Sequence, residues 1–185
     1  VECALDRNAV RVDLSRVPAR DGRDVVWSMY NHHVNLNNIL YDSLAALPVQ
    51  FGPIIEPPRT SDLREYFNDW LREDGFPWWP FWENVLTWWK IRDLPNIRLI
   101  HYQNLKNDMA GEMEKIGEFL GYDVSAITKG KWDQYVKNCT FDHMKNNAPN
   151  STPLGGVLWD GGAQVFVNKG TNKRWTETLT AEDIE

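Results

Sequence analysis

The sequence predicts an α/β fold in which a parallel sheet is flanked by helices, and three observations carry that reading. Residues 97–102 (IRLIHY) form a short run of strand formers entered through a Pro-Asn turn. Behind them, Met109, Met113, Ile116, Phe119 and Leu120 recur at helical spacing. The order of strand end, turn and helix is repeated at the front, where Arg20-Asp21-Gly22 delivers the chain into a helical pattern. Strands joined through helices run parallel, because each crossover returns the chain to the same end of the sheet.

Taken in order, residues 1–18 alternate charges with aliphatics and lack a basic start followed by an apolar stretch. No run of eighteen apolar residues occurs, so neither a signal peptide nor a membrane span is expected. Residues 24–41 read as one helix. Residues 47–58 (LPVQFGPIIEPP) and 148–162 (APNSTPLGGVLWDGG) are rich in Pro and Gly and read as loops. Between them Leu63, Tyr66, Phe67, Trp70 and Leu71 form an amphipathic helix behind Thr60-Ser61-Asp62, whose side-chain oxygens suit the free amides of a helix start. In residues 81–91, Phe81, Trp82, Val85, Leu86, Trp88 and Trp89 cover much of the circumference, which predicts a helix buried on more than one side. Gly121 stands where a left-handed residue closes the 109–120 helix, and a further short helix spans 132–138.

The 185 residues carry 26 acidic and 20 basic side chains, a formal net charge of −6, which argues against a nucleic-acid binder held by summed phosphate attraction. A phosphate site on such a chain has to be local. Cys3 and Cys139 are far apart and lack metal-type spacing, so neither a disulfide framework nor a metal site is expected, and a reducing cytoplasm is the simplest compartment. Ten tryptophans, several within residues 75–89, fit either an aromatic core or a wall around an apolar substrate.

The segment ARDGRDVVWSMYNHH places an arginine, Arg20, at a strand end and Ser28 on the first turns of the following helix. A guanidinium fork and a hydroxyl in that arrangement can converge on one phosphate. An aromatic such as Tyr102 or Phe141 can stack on a purine, and Gly170 admits a phosphate close to the backbone while Lys169 adds charge.

These residues resemble the PAPS-dependent, cytosolic-type sulfotransferase family. Residues 20–28 are similar to its R-(x)7-S element for the 3'-phosphate, and residues 82–121 to its helix, strand and helix carrying a Tyr near the adenine, here Tyr102. NCTFDHMKNN is similar to T-S-F-x-x-M-K-x-N, which implies Cys139, Thr140, Phe141 and Met144 around the adenine. FVNKGTNKRW is similar to R-K-G-x-x-G-D-W, which implies Asn168, Lys169 and Gly170 at the 3'-phosphate. The resemblance implies a P-loop NTPase-like sulfotransferase fold, 3'-phosphoadenosine 5'-phosphosulfate (PAPS) as donor without a metal, and a small-molecule hydroxyl or amine acceptor.

The likeness begins at Ala19, so residues 1–18 read as an unmatched leader and 19–185 as an incomplete domain. The family's T-Y-P-K-S-G-T-T-W loop and its K-T-H segment with the base histidine have no counterpart here, nor does any G-x-x-x-x-G-K-[ST] of a nucleotide kinase. Asn168 stands where the family has arginine, and Lys173-Arg174 where it has Gly-Asp. His32, His33, His101 and His143 are expected to pack or hydrogen-bond rather than serve as base, so no catalytic residue is assigned. The alternative is an inactive remnant that at most binds 3',5'-ADP. Only Thr180 and Glu185 match the family's dimer motif, leaving the oligomeric state open.

Overall fold

The computed structural model describes residues 15–46, 55–78 and 80–184, with side chains from Ala19 onward. Most of the leader, at 1–14, and most of the first loop, at 47–54, lie outside the described residues. The α/β reading holds: β1 (Ser15–Ala19) and β2 (Ile97–His101) pair in parallel, with Ser15 opposite Ile97 and Ala19 opposite His101. The strand begins at Ser15, four residues ahead of the Ala19 boundary read from sequence. Strand β2 ends one residue earlier than its composition suggests. There the His101 ring nitrogen accepts from the Gln103 amide at 3.2 Å and caps α5 (Tyr102–Asn107), so Tyr102 opens a helix.

At the other strand end, α1 (Gly22–Val34) is capped by Asp21, whose carboxylate accepts from the Arg23 amide at 2.9 Å. The single helix read over 24–41 is in fact two, α1 and α2 (Asn38–Ala45). Residues 157–160 cause the break. Leu36 forms an antiparallel bridge with Trp159, the Asn37 amide donates to the Leu158 carbonyl at 3.1 Å, and the Asp160 amide donates to the Asn35 carbonyl at 2.7 Å. Backbone groups satisfied from a distant segment no longer need a helical partner, and no local pattern records that.

Helix α3 (Leu63–Arg72) starts where expected, its Glu65 amide donating to Asp62 at 2.8 Å. Its Tyr66, Phe67 and Trp70 are buried with Val26, Trp27 and Leu179 to form the core. The burial expected on several sides of α4 (Phe81–Lys90) is overturned: Trp82 is 46%, Leu86 54% and Trp89 55% exposed. Phe81 is drawn against the core, its ring centroid 4.8 Å from that of Trp70, and Trp88 is half-buried. An apolar circumference says what can be buried; a neighbouring element decides what is.

Helix α6 (Met109–Phe119) is capped by Asp108 and ends at Gly121 with φ +79°, the left-handed residue expected there. Its apolar stripe is half-buried. The chain continues through α7 (Lys129–Asn138), α8 (Phe141–Asn146), α9 (Ala148–Ser151), α10 (Ala163–Phe166), a 3-10 turn at Arg174–Glu177 and α11 (Ala181–Ile184). Arg64 of α3 holds Asp183 of α11 at 2.6 Å. No helix among the described residues is long and apolar enough to cross a membrane.

Candidate nucleotide-binding cleft

The parallel register builds the site. Because Ala19 stands opposite His101, the next residues, Arg20 and Tyr102, emerge side by side at the carboxyl ends of the two strands. Ligands of open α/β sheets sit at such ends, beside helix N-termini. The Arg20 guanidinium lies over the Tyr102 ring, 4.9 Å from its centroid.

Residues 168–173 fold over this pair and are tied down by side chains. Arg20 donates to Asn172 Oδ1 at 2.9 Å and to the Thr171 carbonyl at 3.4 Å. Asn172 in turn donates to Gln103 Oε1 at 2.8 Å, and Lys106 Nζ to the Gly170 carbonyl at 2.6 Å. From the opposite side Lys145 Nζ donates to the carbonyls of Gln164 and Val167. The result is a cleft of about 250 Å³.

Of the sequence candidates, Arg20, Ser28, Tyr102, Phe141, Met144, Asn168, Lys169 and Gly170 all line this cleft. Cys139 and Thr140 do not. Cys139 is exposed, and Thr140 caps α8 by accepting from the His143 amide at 3.3 Å. Ser28 and Lys169 have no side-chain hydrogen bond or ion pair among the described residues, so both are free to meet a ligand.

Sequence reasoning missed Asp24, Trp27, Ser151, Phe166 and Arg174, which also line the cleft. Asp24 and Trp27 had a signal: they lie four and three residues from Arg20 and from Asp24, and so recur on the face of α1 that carries Ser28. Asp24 is buried and its carboxylate accepts from the Lys173 amide at 2.7 Å. Arg174, Phe166 and Ser151 had none, since their placement depends on how residues 148–174 fold back.

The four histidines do not enter the lining. His32 packs against Phe166 at 4.7 Å, and burial pushes its pKa down. His33 has ring nitrogens 3.1 Å from the Tyr66 hydroxyl and 2.6 Å from the Glu56 carbonyl. Burial lowers its pKa too, against the opposing pull of the Glu56 carbonyl. His101 caps α5, and His143 Nε2 lies 3.4 Å from Asn147 Nδ2. No group of three or more His, Cys, Asp or Glu among the described residues is placed to hold a metal.

Two backbone positions in the covering loop have measurable consequences. Gly170 has φ +63°, and a Cβ there would run into Cδ2 and Cε2 of Phe141. Gly170→Ala is therefore expected to cost roughly 1–3 kcal/mol through strain and to push Phe141 from its place. A urea midpoint equal to that of the parent would show that the loop does not press on the ring. Lys173 also has positive φ, +63°, without being glycine. Left-handed backbone costs a side-chain-bearing residue roughly 1–2 kcal/mol, and glycine gives back roughly 0.5–1 kcal/mol of that in the unfolded chain. Lys173→Gly should thus raise stability by a few tenths to about 1 kcal/mol, seen as a higher urea midpoint at constant slope; a lower midpoint would mean that the lysine side chain supports the turn.

The comparisons with known proteins agree on one family. The chain is 27% identical over 169 residues to Sulfotransferase 1C2 of Homo sapiens, covering 90% of this chain and 49% of that protein. It is 28% identical over 187 residues to the Glycolipid sulfotransferase of Mycobacterium bovis, covering 87% and 54%. With Cytosolic sulfotransferase 12 of Arabidopsis thaliana the identity is 31% over 142 residues, covering 73% and 42%. The chain spans about half the length of the curated relatives it matches. Among solved structures, a mouse sulfotransferase complexed with PAP superposes with a TM-score of 0.66 at 19% identity, covering 91% of this chain and 53% of that one. Retinol dehydratase in complex with androsterone and the inactive cofactor PAP gives 0.67 at 22% identity, covering 91% and 43%. These last two establish the fold. The profile of the Sulfotransferase domain runs through residues 17–185, nearly the whole chain, and the chain therefore belongs to the sulfotransferase domain family.

Proposed function

We propose that this cleft holds the 3'-phosphoadenosine part of PAPS, and that the protein passes the donor's sulfuryl group to a hydroxyl or amine of a small-molecule acceptor in the cytoplasm. One observation carries the reading: residues from segments 20–28, 102, 141–144 and 168–174 converge on a single cleft. The donor set suits such a group. Tyr102 and Phe141 offer aromatic faces to a purine, and Ser28, Lys169 and the open backbone at Gly170 offer donors to a phosphate. Arg20, Lys169 and Arg174 stand against the single carboxylate of Asp24, so the cleft is locally cationic on a chain of net charge −6. PAPS, when bound, supplies the activated sulfuryl group. The residues described here bind and orient the nucleotide.

A second reading, a non-catalytic nucleotide-binding module, draws on a different observation. Transfer requires removal of the acceptor's proton, and no histidine lines the cleft among the described residues. Calorimetric titration with 3',5'-ADP, followed by a sulfate-transfer assay on a panel of phenols and alcohols, tests both. Binding with turnover supports the enzyme, and binding without turnover supports the module. A folded sample that takes up no nucleotide overturns both.

A further inference from the structure

Arg174 is half-buried and lines the cleft, yet among the described residues it makes no hydrogen bond, ion pair or ring contact. The other guanidiniums nearby are engaged. Arg20 is bound to Asn172 and stacked on Tyr102, and Arg23 is paired with Asp21 at 2.8 Å and lies 3.8 Å from the Trp175 ring centroid. Partial burial of a guanidinium without a counter-charge is unfavourable, and the deficit is relieved by an anion that enters the cleft.

The backbone holds Arg174 in this position at a cost. The preceding residue, Lys173, is held left-handed while its amide donates to the buried Asp24 carboxylate at 2.7 Å. That bond fixes the start of the 3-10 turn in which Arg174 is the first residue. Asp24 accepts from the backbone and makes no ion pair within 4.0 Å with Arg174, so its charge does not occupy the guanidinium.

We propose that Arg174 is a phosphate-contacting residue of this cleft, supplying on the 3'-phosphate side the guanidinium that position 168 lacks. Asn168 lines the same cleft with a neutral amide, which neither donates as a charged fork nor attracts at a distance. Asn168 lies in the covering loop and Arg174 opens the 3-10 turn that follows it, and both line one cleft, so a charge moved from one to the other still serves the same ligand. The proposal rests on the nucleotide reading given above.

The test is calorimetric titration of the full chain with 3',5'-ADP and, separately, with 5'-AMP, which lacks the 3'-phosphate. Arg174→Gln keeps the side-chain stem while removing the charge. It is expected to weaken 3',5'-ADP binding roughly tenfold to a hundredfold, the range for a hydrogen bond to a charged group, and to leave 5'-AMP binding within about twofold. Asn168→Arg added to Arg174→Gln should recover most of the loss and gain more affinity than Asn168→Arg gains in the parent, a coupling that a merely structural role of Arg174 would not produce. Parent and variant binding 3',5'-ADP equally, or losing both ligands in proportion, overturns the role of Arg174 while leaving the nucleotide reading intact. No 3',5'-ADP binding by the folded parent chain overturns the nucleotide reading and this proposal with it.

Discussion

Replacing Arg20 and Lys169 together by alanine is expected to abolish measurable binding of 3',5'-ADP. A hydrogen bond to a charged group contributes roughly 1.5–3 kcal/mol. Losing two such contacts raises Kd by roughly a hundredfold or more, since about 1.4 kcal/mol is tenfold. The two substitutions act differently. Lys169 is exposed and without an ion pair among the described residues, so Lys169→Ala removes attraction and should leave stability within about 0.5 kcal/mol. Arg20 also holds Asn172 and the Thr171 carbonyl and stacks on Tyr102, so Arg20→Ala loosens the loop as well. Retained affinity in the double variant would mean that the nucleotide binds elsewhere. Added salt should weaken the parent's binding, because both contacts are partly exposed to solvent.

The parts of this site legible in the sequence are those whose geometry is local. Asp62 caps α3, Gly121 closes α6, and Arg20 leads into the helix that carries Ser28 eight residues on. Each follows from spacing within one element. The adjacency of Arg20 and Tyr102 is of another kind. It depends on the parallel register that sets Ala19 against His101, and strand identity alone does not fix a register. The break in the first helix at Asn35–Asn37 and the entry of Arg174 into the cleft are less legible still. Both arise because residues 148–174 fold back onto α1, supplying hydrogen-bond partners for Asn35 and Asn37 and seating the loop that covers Arg20.

Helix α4 shows the converse failure. Its tryptophans and aliphatics read as deep core, and the structure leaves Trp82, Leu86 and Trp89 about half exposed. Composition reports the transfer free energy available for burial and says nothing about which element delivers it. The same aromatic richness in α3 is buried because α1 lies against it, with Val26 and Trp27 facing Phe67 and Trp70. Trp27 joins the two halves of the molecule's logic. It is part of this core and also lines the cleft, so the packing of α3 on α1 fixes one wall of the site.

That packing gives the largest expected stability effect. Trp70 is 3% exposed and sits at the centre of the core, with Phe81 and Trp82 ring centroids at 4.8 and 6.5 Å. Its backbone carbonyl also accepts from the Gly75 amide at 2.8 Å, where the chain turns from α3 toward α4. Trp70→Ala removes the ring that both helices share, and large-to-small changes of this kind cost about 3–5 kcal/mol because the surroundings close only part of the cavity. Trp70→Phe keeps an aromatic surface for Phe81 and should cost less than half as much. Urea denaturation distinguishes the cases: the midpoint should fall far for alanine and modestly for phenylalanine, with the slope unchanged if the fold survives. The cleft offers an independent reading of the same variants. Trp70 does not line it, so whatever fraction of Trp70→Phe remains folded should bind 3',5'-ADP with the parent's affinity. A loss of affinity in folded Trp70→Phe would show that the core positions Trp27 more tightly than packing alone implies, whereas a Trp70→Ala cost below about 1 kcal/mol would mean that α3 is not seated on α1 in solution.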